Sequence, residues 1–246
     1  MTLGGNRNYR PPSWGTPKAR QEIGVLVGLA LISIVLWGSP IGRYVLYPFS
    51  ILATWFHEMG HGLAAMAFGY SFDRLVIFPN ASGYALYFAD QQPGRVSQAI
   101  IAACGLLGPT AAGCLLIIAS RTRKATKSAL VFLGIALIAS TIIWVRSMTG
   151  WLILPAVGLA CFALIRLAAE RHRRFAVQFL GVQGCISIYT DLGYLFSEGG
   201  VLGGQAQLSD TKQIEQALIL PYWVWGGAIT ALIVTMIWQA LKYAHR

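Results

Sequence analysis

Apolar residues run through most of the chain in blocks about as long as a bilayer is thick. Polar residues gather in short stretches between those blocks. Crossing the hydrocarbon core takes about 20 apolar residues in a helix. The pattern predicts membrane helices over residues 23–41, 44–68, 96–119, 129–145, 151–169, 175–196 and 218–241. Between the second and third, "SFDRLVIFPNASGYALYFAD" breaks the helical period. β-branched and aromatic residues stand on both sides of the turn signal "PNASG", which predicts a β-hairpin. Between the sixth and seventh, "SEGGVLGGQAQLSDTKQIEQ" is Gly-rich and then briefly helical in pattern. The expected fold is an all-α polytopic membrane protein of about seven transmembrane helices, with a small hairpin after the second.

Residues 1–22 are polar, with Gly, Pro and four basic residues, and carry no cleavable signal pattern. They read as a mobile tail. Residues 23–246 then form one membrane-embedded domain, without an internal repeat or a separate soluble unit.

Composition agrees with this pattern. The 246 residues are 56% hydrophobic and only 11% charged, where a soluble domain carries about a quarter charged residues. The net charge of +10 would suit nucleic acid, but the basic residues sit in blocks flanking apolar segments, as "RTRKATK" and "ERHRR" do. That is membrane-flanking behaviour, and nucleic acid is not an expected partner. Lys and Arg divide almost evenly between the two sides of a seven-span topology, so membrane orientation is left open. Cys104, Cys114, Cys161 and Cys185 lie in apolar stretches with no C-x-x-C pair and read as small packing residues.

Against this background the ionisable residues inside apolar segments stand out. Two of the nine acidic residues lie there, Glu58 and Asp191, and two of the four histidines, His57 and His61. Three of these residues form H-E-x-x-H within "TWFHEMGHGLAAM". Residues four apart on a helix share a face, so both imidazoles can meet one ion. Neutral imidazole is a good zinc ligand. Glu58, beside the first ligand, is placed to act as general base toward a water whose pKa zinc lowers. The structural alternative is a polar cluster satisfied by hydrogen bonds between helices. A catalytic zinc needs a third protein ligand and an open position. Asp191 is the expected third ligand. It lies toward the C-terminal end of the sixth span, as His61 does in the second, and the two spans run parallel. The rival is Asp210 in "LSDTKQ", which an N-cap role would explain.

"HEMGH" in a membrane helix, a hairpin after it and a late aspartate resemble the site-2 protease family of intramembrane zinc metalloproteases, in a compact, divergent bacterial-type form. In "QGCISIYTDLG", Gln183 stands eight residues before Asp191, at the offset of the Asn and Asp in the family's N-x-x-P-x-x-x-L-D-G pattern. Ile186, Thr190 and Leu192 replace that pattern's Pro, Leu and Gly. "GPTAA" keeps the Gly and Pro of the family's G-P-x-x-N as Gly108 and Pro109, with Ala112 in place of Asn. "LSDTKQIEQALILPYWVWGG" resembles the branch's "SD" connector and Trp-rich last helix. The resemblance spans roughly residues 45–240. It implies one catalytic Zn2+ and cleavage of a membrane protein or peptide substrate in the bilayer. It further implies that Gln183 hydrogen-bonds substrate or the hairpin. Gln183, Ser187 and Thr190 are expected to line a polar, water-accessible cavity, and a free hairpin edge is expected to hold substrate extended. A catalytically silent relative that binds membrane partners is the alternative. A metal transporter is a third reading, disfavoured because its ligands would be staged along a path rather than gathered at one level.

Overall fold

The computed structural model describes residues 17–90, 93–202 and 205–244. Residues 1–16 of the expected tail lie outside that set. In chain order the elements are α1 (Pro17–Trp37), α2 (Pro40–Ala67), β1 (Ser71–Ile77), β2 (Gly83–Phe88), α3 (Arg95–Ala119), α4 (Arg123–Ile143), α5 (Met148–Leu167), α6 (Glu170–Leu195), β3 (Gly199–Leu202), β4 (Gln205–Leu208), α7 (Asp210–Ala217) and α8 (Tyr222–Ala244).

Four of these helices, α3, α4, α5 and α8, are each long and apolar enough to cross a membrane. The consecutive pair 23–37 and 40–67, bent by 117° at its break, passes the same criterion when taken together. Four to five candidate spans therefore stand where seven were expected. The difference lies in α2 and α6. Both carry polar side chains turned inward, among them His57, Glu58 and His61 on one and Gln178, Gln183 and Ser187 on the other. The break before α2 is capped by Ser39, whose hydroxyl accepts from the Gly42 N–H at 2.9 Å, with Pro40 fitting the first helical turn.

Glycines set how closely the central helices approach. A Cβ on Gly60 would lie 2.3 Å from the Cys104 carbonyl oxygen, and one on Gly108 would lie 2.5 Å from that of Phe56. Backbone of α2 thus lies directly on backbone of α3. The same holds between α3 and α6, where a Cβ on Gly184 would meet the Pro109 carbonyl oxygen at 2.7 Å. Small residues suit membrane helix pairs, because close van der Waals contact replaces the hydrophobic drive that lipid does not supply. The "GP" of residues 108–109 serves both faces of α3. On the far side of α2, the Trp55 indole donates to Ser140 Oγ of α4 at 2.9 Å.

The hairpin forms as the sequence predicts, with β1 and β2 antiparallel. Asn80 makes the turn by accepting from the Ser82 N–H and hydroxyl, and Ala81 takes a positive φ of 65°. The turn is tied to α2, since Tyr47 Oη donates to the Pro79 carbonyl at 2.7 Å and Thr54 Oγ1 to that of Ala81 at 2.5 Å. The outer edge of β1 is covered. The Leu75 N–H donates to the Trp144 carbonyl at 2.8 Å, and the Arg146 N–H to that of Leu75 at 2.9 Å. No further described strand pairs with β2.

The glycine-rich connector holds a second antiparallel hairpin, β3–β4, not predicted from sequence. α7 follows it directly. Ser209 caps α7 by accepting from the Lys212 N–H at 3.2 Å and donates to the Ser197 carbonyl at 2.6 Å. Thr211 donates to the Leu195 carbonyl at 2.9 Å. These bonds fasten the start of α7 to the end of α6. Its apolar face, Ile214 and Ala217, packs on Ala99 and Ala102 of α3.

Candidate metal centre

His57 and His61 fall one turn apart on α2 and face the same way. Their Nε2 atoms are 3.0 Å apart. The carboxylate that joins them is that of Asp210. Its Oδ2 lies 3.0 Å from His57 Nε2 and its Oδ1 3.4 Å from His61 Nε2. One ligand atom from each of the three residues lies within 4.8 Å of those from the other two.

Asp210 is not the helix cap that its sequence position suggested. Ser209 holds that place, and Asp210 occupies the first turn with its side chain 3% exposed. The side chain of Asp191, the expected third ligand, lies outside the described residues, as does that of Thr190. The expectation had followed the apolar surroundings of Asp191 and the polar character of the connector. That connector is polar in sequence, yet its Ser209, Asp210 and Thr211 are all buried in the fold. The "SD" pair before the last helix was the sequence signal for it.

The polar neighbours of the site fix its chemistry. His61 Nδ1 lies 2.9 Å from the Ile101 carbonyl. A carbonyl only accepts, so Nδ1 carries the proton and Nε2 presents its lone pair to the centre. Gln213 donates to Asp210 Oδ1 at 3.4 Å, while Oδ2 is buried without a hydrogen-bond donor of acceptable geometry. Burial by itself would push the Asp210 carboxyl up. The neighbouring imidazoles of His61 and His57 outweigh it and hold the group well below the usual carboxylate range. Two imidazole nitrogens and an ionised, under-satisfied carboxylate converging on one point form a donor set that suits a zinc ion. Gly105 keeps the cradle open, because a Cβ there would fall 2.1 Å from the His61 ring.

Glu58 is 5% exposed and stands apart from the three ligand atoms. The Ala85 backbone N–H on β2 lies near its carboxylate, and a Cβ on Gly83 would approach its Cγ at 3.3 Å. Glu58 and His57 open into a cavity of about 820 Å³ that also touches Gly83, Gln183, Ser187 and Gln207. Gln183 and Ser187 therefore line the cavity as expected. The Gln183 amide donates to Ser33 Oγ of α1 at 2.7 Å, an interhelical bond not foreseen from its position. A second cleft of about 510 Å³ borders β2 and β4, lined by Tyr87, Gln98, Gln207, Gln213 and Gln216. Cys104, Cys114, Cys161 and Cys185 are all free thiols away from the ligand cluster.

No curated protein and no solved structure matches the chain. A family model described as Peptidase M50B-like matches residues 25–240. The matched stretch overlaps all the candidate spans and contains all three clustered ligands. With such helices, the chain is a multi-pass integral membrane protein. It belongs to the Peptidase M50B-like family, the site-2 protease family of membrane metalloproteases.

Proposed function

We propose that the protein is a zinc-dependent intramembrane endopeptidase in which His57, His61 and Asp210 hold the metal and Glu58 is the general base. The observation that carries this is the convergence of the two H-E-x-x-H histidines with one buried carboxylate, beside a Glu that does not join them. A zinc ion bound there would act as a Lewis acid on the scissile carbonyl and lower the pKa of water. Glu58 takes the proton of the attacking water and hands it to the leaving amine.

The β2 edge supplies the substrate platform. A membrane helix hides its scissile carbonyl in backbone hydrogen bonds, so it must be held extended to be cut. β2 borders the Glu58 cavity at one end and the Gln-rich cleft at the other. Strand addition along it draws the chain past Glu58. Gln207 of β4 touches both openings and faces the same path.

The test is purified protein in detergent or liposomes, assayed for zinc by elemental analysis and for cleavage of membrane-segment peptides. One zinc per chain, cleavage that stops on chelation, and loss of cleavage without loss of zinc in Glu58→Gln are the expected results. Zinc binding with no cleavage of any peptide would favour a silent, partner-binding relative.

A further inference from the structure

The cavity that holds Glu58 and His57 reaches a long way from them. It follows α2 back past Tyr47 and Tyr44 to Arg43 and Trp37, at the bend between α1 and α2. Arg43 is the one Lys or Arg among the described residues lining it, and Glu58 the one acidic residue. The two charges stand toward opposite ends. Among the described residues no carboxylate lies within ion-pair distance of Arg43, and its side chain is exposed. An arginine fork without a carboxylate, facing a partly apolar cavity, is a strong recognition element, because charge–charge attraction grows as water is excluded.

We propose that Arg43 is a specificity residue that pairs with a carboxylate of the substrate, about six residues from the scissile bond. The proposal rests on the peptidase reading. The spacing comes from α2 itself. At about 1.5 Å per residue, Arg43 and His57 are about 21 Å apart along the helix. An extended chain at about 3.3 Å per residue covers that distance in about six residues. The preferred substrate is thus an apolar segment ending in an Asp, a Glu or a chain terminus that seats on Arg43. The polar Asn80 and Ser82 of the hairpin turn, which border the same cavity, leave room for main-chain hydrogen bonds along the way. An arginine near a membrane surface also meets lipid phosphate. Arg43 shares its cavity with the catalytic glutamate, which favours the substrate.

The test uses the zinc-loaded full-length protein and fluorescent apolar 15-residue peptides that differ only in one residue, Glu, Gln or Lys, walked along the sequence. Binding is measured in detergent with the Glu58→Gln form, so that recognition is read without turnover. Cut sites are mapped by mass spectrometry with the active form. The expected result is about tenfold tighter binding of the Glu peptides, and a cut site that moves with the Glu at constant spacing. Arg43→Glu should reverse the preference toward Lys, and Arg43→Gln should abolish it, both with zinc content unchanged. Binding and cutting indifferent to the walked charge would overturn the proposal while leaving the peptidase reading intact. A zinc-loaded protein that neither binds nor cuts any peptide would overturn both. Loss of binding in Arg43→Glu that is equal for all peptides, and that appears only with anionic lipid present, would replace the substrate carboxylate with a headgroup.

Discussion

His61 Nδ1 lies 2.9 Å from the main-chain carbonyl of Ile101, so a helix that supplies none of the proposed metal ligands sets the tautomer of one that does. Gly105, one turn further along α3, leaves the imidazole its space. Gly105→Ala should therefore turn the ring away from Asp210 although alanine favours helix. Zinc affinity should fall about 10- to 100-fold, the range seen when support of a ligand is lost, with helix content unchanged. Competition with a fluorescent chelator measures it, and parental affinity in the variant would contradict this account of the cradle.

Glu58→Gln should keep one zinc per chain and lose at least about a hundredfold in turnover, the usual contribution of a positioned general base. Single-turnover cleavage of one peptide by parent and variant, at equal zinc loading, compares them.

Asp210→Ala should strip most of the zinc, because it removes the buried carboxylate between the two imidazoles. Asp191→Ala should leave zinc content near the parent's. Elemental analysis of both variants decides between the carboxylates, and the opposite pattern would return the third ligand to α6.

Gly184→Val should destabilise the bundle by more than about 1–3 kcal/mol, the cost of ordinary overpacking. The added group meets the rigid Pro109 backbone at 2.7 Å rather than a movable side chain. Thermal unfolding in detergent should show it, whereas Gly227→Ala on α8, where a Cβ meets nothing within 4 Å, should leave the midpoint near the parent's.

Glu215 ties α7 to α8 by accepting from the Tyr222 N–H at 2.9 Å and from Lys212 Nζ at 3.1 Å. Those bonds lower its pKa below the ordinary 4.5. A depressed folded-state pKa gives stability that is present above the unfolded value and lost as pH falls through the folded one. Glu215→Ala should therefore lower the unfolding midpoint at neutral pH, and the difference from the parent should shrink on acidification below about pH 4.5. A gap independent of pH would assign the effect to packing.

The part of the site legible in the sequence was the part written on one helix. His57, Glu58 and His61 are fixed in relation by helical geometry alone, and the β1–β2 hairpin announces itself through "PNASG". Asp210 is legible in the sequence only as the rival ligand, with a helix start as its simpler explanation. Its burial depends on Ser209 and Thr211 gripping the end of α6 and on Ile214 and Ala217 seating on α3, none of which is local. The expected seven spans compare with four to five candidates for a related reason. α2 and α6 are apolar enough to resemble ordinary spans, yet much of their polarity is spent facing a cavity. The β3–β4 hairpin left little trace, because its glycines and short strands share the composition of a loop.

The proposed third ligand, Asp210, follows α1 to α6 in the chain. During synthesis on the ribosome, α2 emerges and inserts long before residue 210 is made. A nascent chain therefore carries both histidines and the proposed general base before the carboxylate proposed to complete the set. On the proposed reading, the metal set stays incomplete until residue 210 has been made and α7 has docked on α3.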